Sequence, residues 1–372
     1  MEKGEKRERV LEYLRQGILS GKWTGTVLPA EVTLARQFGY SRETVRKAYA
    51  KLVEEGFLER RKHRGTVLCG SYQEKHVIGA VMRCHDHFFG DIFHCLKKLA
   101  AESGYLVQAV DTFGYEVPKL RKPIRRQISG IVHAPITNLI LGGSLCTSLP
   151  MFPELLRKRP VFFDFIDWKW TEDLTGVLID YYAAGRMGAE YLLKQGSRKP
   201  LLFVGPLWLK LRYNPDIFSR HKDKLLLDGF SDALKEAGMD PMHHFILPDS
   251  NWKDIERQLF EIFSNPDCRP DGIFACQDVK LVRMLKVAAE CGYVPKYQIG
   301  MLNTPWSRGE AGYTFSTIEI PPEKCAEALL QQVLLPPEQR TEVYIKPGLI
   351  ERQAKKNRGN TANYKGGTDS WK

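Results

Sequence analysis

Residues 41–58 read SRETVRKAYAKLVEEGFL, and the order of polar and apolar positions within them decides what the amino-terminal region is. Val45, Ala48, Tyr49, Leu52 and Val53 recur three or four residues apart and make one apolar stripe of a helix. Ser41 stands just ahead of it, where a hydroxyl can accept from a first-turn amide that has no partner inside the helix. Arg42, Thr44, Arg46 and Lys47 lie off the stripe near its beginning. Those are the positions from which a helix laid in a major groove meets base edges and phosphates. Gly56 stops the helix.

Working outward, TLARQF at residues 33–38 gives a short helical run, separated from Ser41 only by Gly39 and Tyr40. The pattern is helix, tight turn, helix. Beyond Gly56, residues 57–60 and 66–68 are strand-like and flank a basic tip of Arg61, Lys62, His63, Arg64 and Gly65. A two-stranded wing fits, and a glycine there lets backbone approach a phosphate closely. Upstream, residues 7–20 place Val10, Leu11, Leu14 and Ile18 on one face, so this helix packs on the other two while Arg7, Arg9 and Arg15 stay solvated.

With those pieces in order, residues 6–69 resemble the winged helix-turn-helix of the GntR family. The resemblance implies DNA contacts from Arg36, Arg42, Thr44, Arg46 and Gly65. Ser41, Lys47, His63 and Arg64 complete the candidate set from the recognition helix and the wing tip. One position departs from the family: Val32 follows Glu31 of the LPAE turn, where a basic residue is usual.

Charge supports this division of labour. The chain of 372 residues carries a formal net charge of +11, but residues 1–70 hold fifteen Lys and Arg against nine Asp and Glu, whereas residues 71–350 hold 34 against 33. The excess sits on the expected reader and on residues 351–372, so the long middle is not expected to be a second nucleic-acid surface. Eight scattered cysteines without a paired CxxC, a polar start (MEKGEKRER) and no apolar run of 18 residues point to a reduced, cytoplasmic protein without membrane spans.

After a polar linker at 71–75, short apolar runs alternate with amphipathic helices. The runs lie at 77–82, 105–110, 130–134, 161–165, 176–179, 201–205, 244–247, 272–276 and 299–302. The helical stretches lie at 91–103, 183–195, 224–237, 252–263 and 279–290. Such alternation predicts parallel sheets covered by helices, and some 280 residues are enough for two lobes. The order VIGAVM, ESGYLV, ISGIV, IDYYAAGRMGAEYLLKQGSRKPLLFVG, LLLDGFSDALKEAGM, PDGIFACQD and YTFSTIEIPPEKCAEALL is similar to the effector-binding domain of the LacI/GalR family, which resembles periplasmic sugar-binding proteins. The expected organisation is therefore a winged helix-turn-helix at 1–70, a linker at 71–75, a two-lobed α/β domain at 76–350 and a disordered basic tail at 351–372.

In open α/β folds ligands bind beyond the carboxyl ends of strands. His85, Asp86 and Phe88 follow the first strand of the second domain; Asp164 and Trp168 follow the fourth. Aromatic faces beside carboxylates suit sugars, which stack through C–H faces and donate from hydroxyls. The LacI resemblance implies a hydroxyl-holding role for Asp278 and a pocket position for Asn303. It also places Leu226 where the family has a sugar-gripping arginine, with nearby Arg220 or Lys222 as the substitute. The Cys-His-Asp-His run at 84–87 lacks metal-site spacing, and GxSxG, P-loop and HExxH motifs are absent. The sequence thus predicts a homodimeric regulator that binds a palindromic duplex operator as a repressor and answers to a small sugar-like effector, with a regulator whose pocket is degenerate or takes a non-sugar ligand, or a solute-binding protein, as the alternatives. It predicts no enzymatic activity, cofactor or metal.

Overall fold

The computed structural model describes residues 3–19, 28–62, 65–69, 76–113, 118–142, 153–164, 175–204, 221–246, 252–310, 312–353 and 355–356. His63, Arg64, Trp168 and Arg220, the expected linker and residues 357–372 lie outside them. The chain divides into two compact units. The first comprises Met1–Phe163, Leu174–Val177 and Ala326–Glu342; the second comprises Asp164–Asp173, Leu178–Cys325 and Val343–Lys372.

The first unit begins with three helices, α1 (Lys3–Leu19), α2 (Glu31–Phe38) and α3 (Arg42–Glu54), and a hairpin of β1 (Leu58–Arg61) and β2 (Gly65–Leu68). The hairpin is antiparallel, with Leu58 opposite Leu68 and Arg61 opposite Gly65. The turn between α2 and α3 hangs on Gly39, whose φ of 65° is left-handed, a conformation glycine adopts without a Cβ penalty. Val10, Leu14, Val45, Ala48, Tyr49 and Leu52 are all completely buried, which is the stripe expected from their spacing. The Tyr49 hydroxyl donates to the Pro29 carbonyl at 2.5 Å, and burial pushes the phenol pKa far upward. Val77, Leu106 and Ile136 belong to the same buried cluster as the helix-turn-helix core.

The rest of that unit is built on β3 (Val77–Met82), α4 (Phe89–Glu102), β4 (Leu106–Asp111), α5 (Pro118–His133), β5 (Asn138–Gly142), α6 (Pro153–Arg157) and β6 (Val161–Phe163). Together with β7 (Gly176–Ile179) and β14 (Val343–Ile345), the strands form a six-stranded sheet ordered β14-β7-β6-β5-β3-β4. Here the structure corrects one expectation. GIVHA at 130–134 is the end of α5, and the strand is Asn138–Gly142. Ile124, Ile128 and Ile131 are buried at helical spacing, which outweighs the strand-like look of a five-residue apolar run.

The second unit contains α7 (Tyr181–Lys194), β8 (Pro200–Phe203), α8 (Lys222–Glu236), β9 (Phe245–Ile246), α9 (Trp252–Ser264), β10 (Gly272–Ala275), α10 (Asp278–Glu290), β11 (Tyr297–Met301), β12 (Tyr313–Thr314) and β13 (Ser316–Glu319). After α11 (Pro322–Leu334) comes β15 (Gly348–Ile350), and the sheet order is β15-β13-β11-β10-β8-β9. Its strands pair in parallel except for the β13–β15 pair. Helices α7 and α8 touch backbone to backbone. A Cβ at Gly185 would lie 2.1 Å from the Leu226 carbonyl oxygen, and one at Gly229 would lie 2.0 Å from that of Tyr182. Lys355–Lys356 form β16, antiparallel to β12, so regular structure extends past residue 351.

Candidate nucleic-acid interface and effector site

The recognition helix α3 starts as its sequence requires. Ser41 has extended backbone, and its Oγ accepts from the Thr44 amide at 3.2 Å and lies 2.8 Å from the Thr44 hydroxyl. Both residues are thereby engaged in holding the first turn. Arg42, Arg46 and Lys47 point outward, with side chains 70%, 56% and 65% exposed. Each is held by a neighbouring carboxylate. Arg42 Nε is 3.5 Å from Glu31, while Arg46 and Lys47 lie 2.7 and 4.0 Å from Glu43. Glu31 also reaches Arg60 of the wing at 3.5 Å, so one acid links the turn, the recognition helix and β1. Exposed pairs like these are weak, about 0–1 kcal/mol, and a phosphate can displace the carboxylate. Arg36 is exposed on α2, and Gly65 is exposed at the start of β2 with φ 77°.

The effector candidates fall into separate groups. In the first unit, the loop after β3 is organised by Asp111 at the end of β4. Its Oδ1 accepts from the Cys84 and Phe113 amides, each at 3.0 Å, and its Oδ2 is bonded to His85 Nδ1. His85 is exposed. Asp86 caps α4 instead of facing outward: its Oδ1 accepts from the Phe88 and Phe89 amides at 3.1 and 2.6 Å. Phe88 is buried, and Phe89 sets its edge against Phe163 at 5.8 Å. Burial, aided by Asp111 and Asp86, pushes the Cys84 thiol up to about 12.

In the second unit, Asp164 is buried with φ 75° and accepts from the Tyr181 hydroxyl at 2.6 Å. Burial and then Asp164 raise the Tyr181 pKa well above its ordinary value. His221 caps α8: its Nδ1 accepts from the Asp223 amide at 3.2 Å, and burial lowers its pKa. Asp223 is itself buried and acts electrostatically on Tyr181, His221 and Cys276. Lys280 Nζ lies 3.4 Å from the Cys276 thiol. Tyr181, His221 and Asp223 thus form a buried polar group with Asp164, and half-buried Cys276 feels Asp223 from its side. Sequence reading missed all four; the one signal was the position of His221 directly before a helix.

Asp278 is completely buried. Its Oδ2 accepts from the Thr304 amide at 2.7 Å and hydroxyl at 3.0 Å, and its Oδ1 from the Thr317 hydroxyl at 2.8 Å. Desolvation raises its pKa to about 6 against the pull of those donors. Asn303, with φ 48°, donates to Glu319 at 2.8 Å and accepts from Arg352 at 2.7 Å. Arg352 also exchanges backbone hydrogen bonds with the Ser316 hydroxyl, so it belongs to this loop cluster.

Two family patterns match the chain: bacterial regulatory proteins of the gntR family over residues 6–68, and a periplasmic-binding-protein-like domain over residues 189–354. The arabinose metabolism transcriptional repressor of Halalkalibacterium halodurans is 25% identical over 306 residues, covering 76% of each chain. The HTH-type transcriptional repressor PurR of Escherichia coli is 23% identical over 282 residues, covering 72% of this chain and 76% of the relative. A periplasmic binding protein/LacI transcriptional regulator from Alkaliphilus metalliredigens, solved with D-xylulofuranose, has the same fold at 17% identity and a TM-score of 0.55, over 76% of this chain and 99% of that one. The chain joins a GntR-type helix-turn-helix to a periplasmic-binding-protein-like domain.

Within the GntR-type domain, Arg36, Arg42, Arg46, Lys47 and Gly65 are exposed together, while Ser41 and Thr44 cap the helix. In the binding-protein-like domain the outcome is different. Phe88 and Asp278 are buried, Asp86 is spent on a helix cap, and only His85 among the described effector candidates is well exposed. For Asp278 the physical reason is its place as the first residue of α10: both oxygens are filled by protein donors, which ties α10 to the loop after β11 and to β13. Leu226, which stands at the expected arginine position, is buried against α7. Among the described residues no group of three or more His, Cys, Asp or Glu is placed to hold a metal, and no helix is long and apolar enough to cross a membrane.

Proposed function

We propose that the protein is a transcription repressor that binds operator DNA through α3 and the wing, and that a small molecule bound by its α/β domain controls this binding. The observation that supports it most is the outward set of Arg42, Arg46 and Lys47 at the amino-terminal half of a capped recognition helix. Phosphates displace Glu31 and Glu43 from these cations, and the guanidinium forks read guanine edges in the major groove. Two copies related by a two-fold axis present two such helices to a palindromic site in the cytoplasm. The effector shifts DNA affinity only by its differential affinity for the two conformations, typically about 1–3 kcal/mol.

Fluorescence anisotropy with labelled duplexes from the promoter of the protein's own gene tests this reading. Binding is expected to fall steeply with KCl, because each neutralised phosphate releases counterions. Absence of salt-sensitive association, or unchanged affinity after Arg42→Ala, overturns it. A sugar-like effector is supported by the arabinose repressor among the relatives and by the bound D-xylulofuranose in a protein of the same fold. Calorimetry against pentoses, hexoses and sugar acids tests that part.

The buried Leu226 and the occupied Asp278 favour a second reading for the same domain, a pocket that takes a non-sugar ligand or none. Failure of every sugar in the panel, with DNA binding intact, supports that reading.

A further inference from the structure

Of the six large apolar side chains that stand exposed among the described residues, Val32 alone belongs to the reader. It is 47% exposed on the first turn of α2, whereas Leu34, two residues on, is 1% exposed, and Ala35 and Phe38 pack against the reader's core. At 3.6 residues per turn, positions 32 and 34 stand about 200° apart around the helix, so Val32 points away from the core that its own helix covers. Packing gives this side chain no work.

The groups around it are cationic. Arg36, also exposed, lies four residues along the same row of α2. Glu31, immediately before Val32, reaches Arg42 at the head of α3 and Arg60 of the wing, each at 3.5 Å. Val32 therefore sits on the turn of α2 that is tied to both the recognition helix and the hairpin. Arginines so placed hold phosphates and guanine edges, neither of which an aliphatic group can bond. The apolar group that each A·T pair offers in the major groove is the C5-methyl of thymine. A β-branched side chain suits it: valine has one strongly preferred rotamer in a helix, so its methyl groups already point in a fixed direction and little freedom is lost on contact.

We infer that Val32 is a specificity-determining residue of the operator surface, and that it recognises the C5-methyl group of a thymine in the major groove beside the bases approached by α3. This rests on the operator binding proposed above, and narrows the partner to duplexes that carry thymine at that place.

The test is fluorescence anisotropy of the full-length protein, at fixed KCl, on a labelled duplex from the promoter of its own gene. Each thymine is replaced in turn by uracil, which loses the methyl group and keeps the hydrogen-bonding edge. At one thymine, or at a symmetric pair, the replacement is expected to weaken binding about fourfold, the equivalent of about 0.8 kcal/mol for one buried methyl-sized group. Val32→Ala is expected to weaken binding of the thymine duplex about as much, to show no further loss on uracil at that position, and to keep the salt slope, since no phosphate contact is removed. Its melting temperature is expected to match the parent's, because the side chain is exposed and alanine suits a helix. Val294→Ala, which shortens a 72% exposed valine in the second unit, is expected to bind both duplexes as the parent does. Equal losses for Val32→Ala on the thymine and uracil duplexes, or the lack of any thymine whose replacement weakens the parent, overturn Val32 as a base reader and leave operator binding in place. A flattened salt slope in Val32→Ala overturns it as well. Failure of the parent to associate in a salt-sensitive way is a different result, because it removes operator binding itself and the role of Val32 with it.

Discussion

The amino-terminal reader and the second unit use the same kinds of side chain in opposite ways. In α3 the charged residues that matter stand on the outside: Arg42, Arg46 and Lys47 touch only surface acids, and the fold is held by an apolar stripe on the other face. In the second unit the charged residues that looked functional are inside: Asp278 has zero exposure and Asp164 7%, and both are bonded to protein donors. A helix on a surface separates folding from binding by face. A strand-end loop makes one carboxylate do both, or gives it wholly to the fold.

The largest expected effect strains the second unit at its tightest contact. Gly229→Ala puts a Cβ 2.0 Å from the Tyr182 carbonyl, a backbone atom that cannot swing aside. Helices α7 and α8 must part, at a cost of about 3 kcal/mol or more. Thermal melting should show loss of the second unit's transition, while salt-sensitive DNA binding by the reader persists. Equal stability to the parent would show that the α7–α8 contact is looser than described.

Next comes the pH response of Asp278, which tests whether its carboxylate belongs to the fold. Its pKa stands at about 6 in the folded state against 3.8 as the ordinary value, raised by burial. The fold therefore prefers the protonated form. That contribution is complete below pH 3.8 and is lost as pH rises through about 6, a difference of about 3 kcal/mol as an order of magnitude. Asp278→Asn cannot ionise, so its stability relative to the parent should improve progressively between pH 4 and 7. A stability difference between the two proteins that stays flat over that range contradicts a buried, desolvated Asp278.

How far the sequence carries a reader follows the same division. The three-helix core, the position of the wing and the alternation of strand and helix are written in periodicity, so α3, α4, α7, α9 and α10 fall within two or three residues of expectation. A five-residue run such as GIVHA has too few residues to choose between periods, and only Ile124 and Ile128, upstream of it, show that the helix continues. Asp164 was legible as a strand-end carboxylate, but its partnership with Tyr181, His221 and Asp223, and the role of Asp111, were not. Their association comes from loops that meet in space across sequence separations of 17 residues or more.

On the reader's side, Arg42→Ala should leave stability within about 0.5 kcal/mol, since it removes only an exposed pair with Glu31. Operator affinity should fall by about 1–3 kcal/mol, and effector affinity should not change. Anisotropy and calorimetry on one preparation distinguish these outcomes. A loss of stability equal to the loss of binding would mean that Arg42 supports the fold and the surface is not specialised.

The smallest effect sharpens the contrast at a single hydroxyl. Ser41 is among the reader's candidates, yet its Oγ is already given to the Thr44 amide and hydroxyl at the head of α3. If its work is capping, Ser41→Ala should cost about 1 kcal/mol of reader stability, and Ser41→Asp should recover most of it, because a carboxylate caps equally well and suits the positive end of the helix dipole. DNA binding then separates the roles. Aspartate beside a phosphate repels it, so Ser41→Asp should restore the melting temperature but weaken operator binding more than Ser41→Ala does. If both variants bind alike, the hydroxyl serves the helix alone and the phosphate-facing surface begins at Arg42.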